Sequence, residues 1–533
     1  MIFTREMLDS MKKVEAAREA NIAFEPRRMT ADEKDALLRQ YHPDYSDRGF
    51  GLIKTGPNKG EKAPVELLEM LEGMSRVQDM SLNLEAPDYD VDVLVIGGGG
   101  AGTSAAIEAH AAGADVLVVT KLRMGDANTM MAEGGIQAAD KPGDSPAQHY
   151  LDVMGGGHYA NRPELVRKLV MDGPGAIQWL NRLGVEFDKE PDGTMITTHG
   201  GGTSRKRMHA AADYSGAEIM RTLRDEVLNL GIRVVDYTAA IELIKDDGGH
   251  VAGAVLLNME TGEILIARAK TVILATGGAG RMHYQGFPTS NHYGATADGL
   301  VLAYRAGAKL LYQDTLQYHP TGVAFPQQIF GALVTEKVRS MGAKLINADG
   351  VVFMHPLETR DVSAASIIRE CSTNGKGVST GSGQAVWLDT PMIDRIYGKG
   401  MLERRLPAML RMYMKFGIDM RETPILIYPT LHYQNGGLEI SVDGQTCVPN
   451  LFVAGEAVGG IHGRNRLMGN SLLDIIVFGR NAGREAAKKA KTVKTGRLNL
   501  SHVEDHRRAL SEAGVESAVL SPKLLPDYTR KDK

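Results

Sequence analysis

The chain has 533 residues, room for about three domains or one large composite one, and its 43% hydrophobic and 24% charged content excludes wholesale disorder. Sixty-one basic against 65 acidic residues leave a formal charge of −4, so nothing in the charge balance points to a nucleic-acid partner, and two cysteines cannot form a disulfide framework or hold an iron–sulfur cluster alone. The N-terminal MIFTREMLDSMKK lacks the apolar core of a signal peptide and no run of about 18 apolar residues occurs, which predicts a cytoplasmic protein with no transmembrane segment of its own, peripheral to a membrane only through partner subunits.

Residues 1–87 read as a helical N-terminal extension. Met7, Met11, Val14 and Ile22 fall near helical spacing, Thr30-Ala31-Asp32-Glu33 has the form of a capping box before Leu37 and Leu38, and Pro64 can open a third helix carrying Leu67, Leu68, Leu71 and Met74. The extension is expected to pack on its own chain. From Asp92 the pattern changes to a βαβ unit: strand Val93–Ile96, a helix through TSAAIEAHAAG, and strand Asp115–Val119, which a right-handed crossover makes parallel. Further strands are predicted at 233–235, 251–256, 271–274 and 451–453, and helices at 163–183, 217–230, 298–308 and 471–490. The tail from about 493 reads as a surface-hugging extension.

Glycine supplies 61 residues, gathered at GGGGAG, GGGTS, ATGGAG, AGEAVGG and RLMGNS, and five such clusters favour a backbone that approaches a large ligand. Gly97, Gly99 and Gly102 satisfy G-x-G-x-x-G between a strand and a helix, the setting that gives this pattern weight as a dinucleotide site. The second strand ends in Thr120 and Lys121 where a ribose-binding acid belongs, so NAD is disfavoured.

At this point the chain resembles the flavoprotein subunits of the fumarate reductase, succinate dehydrogenase and L-aspartate oxidase family. The motifs run in family order over about 88–490: VIGGGGAG, VVTK, MMAEGGIQAA, HAAADYSG, ILATGGAGR, LQYHPTG, VTEKVRS, ETRDVSAASI, TLHYQNGG, LFVAGEAVGG and HGRNRLMGNSLLDIIVFGR. The resemblance implies an α/β fold: a Rossmann-like FAD-binding domain at 88–316 and 428–492, an inserted α+β capping domain at 317–427, and a tail at 493–533. It implies FAD as cofactor, near Thr120, Lys121, Asn128, Thr129, Glu133, Gly134, Gly135, Gly277 and Gly278, with Asp298, Glu456, Asn470, Ser471 and Leu472 at its ribityl chain or flavin.

A dicarboxylate needs two separate sets of donors when it leaves water. Arg466 among cofactor-loop glycines, His432 in Leu431-His432-Tyr433 and His319 in Tyr318-His319-Pro320 are candidates. The resemblance implies that Arg466 and His432 hold one carboxylate while His319 and Thr335 hold the other. Arg360 matches the family's proton donor. An arginine is a poor acid and can serve only if its proton is replaced at once, which Glu336 and Arg339 could do. The same pair, three residues apart, also reads as a helical salt bridge. The implied reaction is hydride transfer from reduced FAD to one carbon of an activated C=C and protonation of its neighbour by Arg360.

Three departures shape the expectation. Asn128 stands where complex-forming members carry the histidine joined covalently to FAD, which predicts non-covalent FAD and favours reduction over succinate oxidation. Gly200 replaces the glutamate that L-aspartate oxidases set against the substrate amine, which demotes aspartate oxidation and suggests a widened pocket. Met341 follows the relay arginine where an acid is usual, and about 43 residues replace a long C-terminal helical domain, which argues against the standard four-subunit membrane assembly. An iron–sulfur protein docking near residues 1–87 is the expected electron partner. The competing readings are L-aspartate oxidase, a reductase of another enoate, and a non-catalytic FAD relay, against which the Arg360, His432 and Arg466 set argues.

Overall fold

The structure is a computed structural model describing residues 2–528. Its central sheet runs parallel through Tyr89–Ile96, Val116–Val119 and Arg233–Val235, with Ile96 beside Val119 and Val119 beside Val235. On the other side Ile264–Leu274 is parallel to Tyr89–Ile96, with Leu274 beside Ile96, and Leu451–Val453 pairs with the same strand, Val453 opposite Leu274. Ile96, Val119, Leu274 and Val453 therefore end at one edge. The loops that follow them, at 97–99, 120–121, 275–278 and 454–456, meet there, at the carboxyl ends of the strands where open α/β sheets take their ligands.

Val93, Leu94 and Val95 are fully buried, as continuous apolar strands must be when helices cover a parallel sheet. The helices Gly100–Ala111 and Asn470–Ala490 pack on each other and on this sheet. Thr238–Asp246 and Val251–Asn258 extend the sheet antiparallel.

A second, antiparallel sheet of Leu316–Val323, Ile425–Gln434, Gly383–Leu388 and Leu345–Ile346 carries the helix Arg360–Ser372. It has its own core of Val338, Leu345, Met354, Ile367, Val386, Leu388 and Ile427. The expected boundary between 427 and 428 falls inside strand Ile425–Gln434, which starts in that core and carries His432 at its other end.

The N-terminal extension packs on its own chain and spans both regions. Helix Arg5–Ala23 buries Met7, Met11 and Val14 against Val352, Val378, Trp387 and Met392, and Arg18 meets the buried Asp389 at 3.0 Å. Helix Ala31–Tyr41 begins with the Thr30/Glu33 capping box and buries Leu37 and Leu38 on Val362 and Ala365. The chain then crosses to the central domain, where Asn58 bonds the Tyr304 hydroxyl at 3.1 Å and Leu67, Met70 and Leu71 join the main core. The helix opened after Pro64 is short, Val65–Leu71, and Met74 lies instead in a two-residue strand, Met74–Ser75.

The tail departs from a surface extension. Leu498–Asn499 add to the central sheet, Ser501–Glu512 is helical, and Leu520–Ser521 pair with Met74–Ser75. Its last five residues, 529–533, lie outside the described residues. Among the described residues no helix is long and apolar enough to cross a membrane.

Candidate active site

One cavity of about 680 Å³ starts at the edge where the parallel strands end and reaches the second sheet. At its first end lie Gly97, Gly99, Thr120 and Lys121, with Asn128, Thr129, Glu133, Gly134, Gly135 and Gly277 along the walls. Gly97 has φ +120° and a Cβ there would fall 2.2 Å from the Ala275 carbonyl oxygen, while a Cβ at Gly102 would fall 1.9 Å from the oxygen of Gly97. The turn and the close helix approach thus both exclude side chains. Helix Gly100–Ala111 starts at the glycine loop, where Gly100 N–H donates to Thr129 Oγ1 at 3.1 Å and the positive end of the helix dipole favours an anion. Glu456, Ser471 and Leu472 line the cavity farther along, and one carboxyl oxygen of Glu133 has no hydrogen-bond partner. This length, a side-chain-free cradle and orphaned polar atoms fit a dinucleotide.

Not every expected contact lies on the wall. Gly102, Gly278 and Asn470 stand behind it: a Cβ at Gly278 would meet Glu456 Oε1 at 2.6 Å, and Asn470 Oδ1 pairs with His149 Nε2 at 3.0 Å. Asp298, expected beside the ribityl chain or flavin, is tied to Lys121 at the Thr120 end. Asn128 faces the cavity and donates to Asn291 at 2.7 Å and to Glu456 at 3.1 Å.

At the other end His319, Thr335, Glu336, Arg360, His432 and Arg466 converge from five separate segments. Arg360 donates from Nε to Glu336 at 2.8 Å and from Nη1 to Gln317 Oε1 at 2.9 Å. Arg466 donates to the same Gln317 oxygen at 2.9 Å and to Ser471 Oγ at 2.8 Å, and its guanidinium lies 4.4 Å over the Tyr433 ring. Behind Glu336 stands Arg339, 3.4 Å away and buried, off the cavity wall. Glu336 is therefore shared by Arg360 and Arg339, so the i, i+3 salt bridge and the relay geometry coexist. The His319 and His432 rings meet edge to face at 5.0 Å. Thr321 N–H donates to His319 Nδ1 at 3.3 Å, which leaves Nε2 protonated, buried and without a partner.

Burial, followed by Arg360 and further cationic neighbours, pushes His319 and His432 well below the ordinary imidazole range, so both are neutral. Burial, reinforced by Arg360, lowers Arg466 to about 9. Burial pushes Glu336 up, but Arg360 and Arg339 outweigh it and keep the carboxylate ionised. Three buried guanidiniums against one carboxylate in this cluster leave a site short of negative charge, which an anionic ligand would supply.

Two site features leave little or no trace in the sequence pattern. Gln317, which bridges Arg360 and Arg466, sits two residues before His319 on the same strand, and period-two facing is the signal that pairs them. Ser290, from a distant loop, holds His432 Nδ1 at 2.7 Å and leaves no such signal. The widened pocket expected at Gly200 is not found: a Cβ there would meet Met208 Cε at 2.9 Å, so Met208 fills that space, and Gly200 does not line the cavity. The neighbouring Gly201 instead donates its N–H to Glu336 at 2.5 Å.

A glycine-cradled dinucleotide cavity ending in a histidine–arginine cluster defines a flavoprotein oxidoreductase, and residues 92–472 match the FAD binding domain family. The chain belongs to that family, within the fumarate reductase, succinate dehydrogenase and L-aspartate oxidase flavoproteins, and its cofactor is FAD. It is 39% identical over 417 residues to a fumarate reductase (CoM/CoB) subunit of Methanothermobacter marburgensis, covering 76% of this chain and 74% of that one. It is 37% identical to L-aspartate oxidase of Streptomyces coelicolor, covering 78% and 72%. Among solved structures, quinol fumarate reductase FrdA of E. coli superposes with a TM-score of 0.72 at 32% identity, over 80% of this chain and 74% of that one.

Proposed function

We propose that the protein reduces fumarate to succinate, with Arg360 as proton donor and the flavoprotein acting within an electron-transfer complex. The observation that supports this reading most is the chain Arg360–Glu336–Arg339, whose first member faces the same cavity as His319, Thr335, His432 and Arg466. Bound FAD supplies the hydride. Arg466 and His432 bind one carboxylate, and the unpartnered His319 Nε2, with Thr335, binds the second, so that the C=C is held and polarised between them. The guanidinium of Arg360 gives a proton to the carbon next to the one that receives hydride, and Glu336 passes a proton from Arg339 to replace it. Fumarate thereby takes up one hydride and one proton to become succinate.

The FAD is bound without a covalent link, because an amide at Asn128 cannot take the role of a histidine ring nitrogen. After acid precipitation the flavin is expected in the supernatant; retention in the pellet would contradict this. The relatives' names attach CoM/CoB to one fumarate reductase and 8-methylmenaquinol to another, so membership leaves the donor open. An iron–sulfur protein remains the proposed partner. The apolar faces of the first two helices are already used on this chain, so its docking surface lies elsewhere than on those faces.

The test is product formation. With reduced methyl viologen as electron source, fumarate should yield succinate, while aspartate in air should yield no hydrogen peroxide. Peroxide from aspartate without succinate from fumarate would overturn the assignment in favour of the oxidase.

A further inference from the structure

The tail lies beyond residue 472, where the family match ends, and it reaches the cofactor cavity. Its root is fixed by a buried knot. Arg305 Nη1 donates to Glu242 at 2.5 Å, Ser75 Oγ donates to the same carboxylate at 2.6 Å, and Arg305 Nη2 reaches the hydroxyl and carbonyl oxygens of Ser521. Arg76 adds a bond from Nε to the Pro522 carbonyl at 2.6 Å.

Beyond the knot the chain turns through Leu524, which is buried with φ +68°, and meets the nucleotide end of the cavity. The Leu524 carbonyl accepts from Lys121 Nζ at 2.5 Å and from Thr296 Oγ1 at 2.9 Å, and its N–H donates to Asp298 Oδ1 at 3.2 Å. Lys121 and Asp298 both line the cavity. The far end is fastened as well. The Tyr528 hydroxyl pairs with His283 Nε2 at 2.9 Å and accepts from Arg281 at 3.3 Å, and the Tyr293 hydroxyl donates to the Pro526 carbonyl at 2.9 Å. Arg281 is a third cavity-lining residue that the tail touches.

A lysine ammonium on its flexible stem has three donors, and here Thr296, Asp298 and Leu524 take all three. The tail thus removes rotamer freedom from the wall that meets the nucleotide, and binding to a wall already ordered loses less entropy. We propose that residues 520–528 are a retaining strap for the nucleotide half of FAD, in which the main chain of Leu524 positions Lys121 and Asp298. The proposal rests on FAD being held without a covalent bond and is independent of which acid is reduced. By linkage, FAD must hold the strap closed by the same factor that the strap adds to FAD affinity.

Lys523 places a trypsin site directly before Leu524. In the full chain, FAD is expected to slow cleavage after Lys523 roughly tenfold relative to the FAD-depleted protein, within the usual range of coupling between sites. Equal rates would overturn the strap. A chain ending at Lys523 keeps the Ser521 knot and should release FAD into an ultrafiltrate roughly tenfold faster with an unchanged circular dichroism spectrum. Should that chain not fold, the Tyr293→Phe, Tyr528→Phe double variant, which loses only the outer fastening, should still release FAD faster than wild type. Release at the wild-type rate from a folded, FAD-loaded variant overturns the proposal. Flavin that stays with acid-precipitated protein would instead overturn the non-covalent reading beneath it.

Discussion

The two ends of the cavity differ in what builds them. At the His319–Arg466 end the wall is side chain: two histidines, a glutamate and two arginines, nearly all buried, each held by at least one hydrogen bond with a neighbouring residue, with Arg339 behind. At the glycine-loop end the wall is largely backbone, with Lys121 and Asp298 among its charged members, and the tail's main chain bonds to both of them. Chemistry that moves a proton needs particular functional groups at fixed distances. Holding a long cofactor needs many modest contacts, and backbone from any segment can provide them. Substitutions at the first end should therefore strike turnover with FAD in place, and those at the second should strike FAD content first.

The largest effect is expected at Arg360. Arg360→Lys keeps the charge but not the planar fork that reaches Glu336 and Gln317 together, and kcat should fall by about 10²–10⁴, the range of general acid catalysis, with full FAD content. Loss of FAD along with turnover would blur the division between the two ends. Gly102→Ala tests the opposite end, where the new methyl must displace the Gly97 carbonyl. That chain should purify largely without flavin, and the ratio of flavin to protein absorbance measures it. His319→Ala removes the unpartnered Nε2–H, and since a hydrogen bond to a charged group contributes about 1.5–3 kcal/mol, KM for fumarate should rise roughly 10- to 100-fold.

The smallest expected effect is the pH response. The Arg466 pKa is lowered to about 9, so its cation is complete only well below that value and is lost as pH rises through it. Because kcat/KM reports the free enzyme, it should fall above pH about 9. The depressed pKa values of His319 and His432 predict no inflection near the ordinary imidazole range. A clear inflection near neutrality would show that one of these rings titrates in the open site.

What can be read from the sequence follows the same division. Gly97 and Gly102 stand out because only glycine fits where a Cβ would overlap a carbonyl, and Arg466 stands out because an arginine is rarely placed among cofactor-loop glycines without a use, whereas Arg360, Glu336 and His432 are legible only through the family motifs that hold them. Gln317 is hidden by its ordinary polarity, although it joins the two arginines. Strand Thr238–Asp246 escapes notice because it is buried on both faces and so shows no alternation, and it carries Glu242 inside, where the charge is answered by Arg305. Gly200 misleads because a missing side chain reads as space, which the distant Met208 occupies. The role of Leu524 is invisible in the sequence, since its bonds to Lys121, Thr296 and Asp298 are made by its main chain and leave no mark in residue type.

The central claim is that the cluster at the second sheet delivers a proton to fumarate while the flavin is oxidised. It is tested most directly by reducing the bound flavin anaerobically with dithionite, removing excess reductant, and mixing with fumarate, other enoates or buffer while following flavin absorbance. Rapid reoxidation by fumarate in the wild type, abolished in an Arg360→Gln variant that still holds FAD, is the predicted result. A reduced flavin that ignores fumarate, or an Arg360→Gln variant that reoxidises at the wild-type rate, would contradict it.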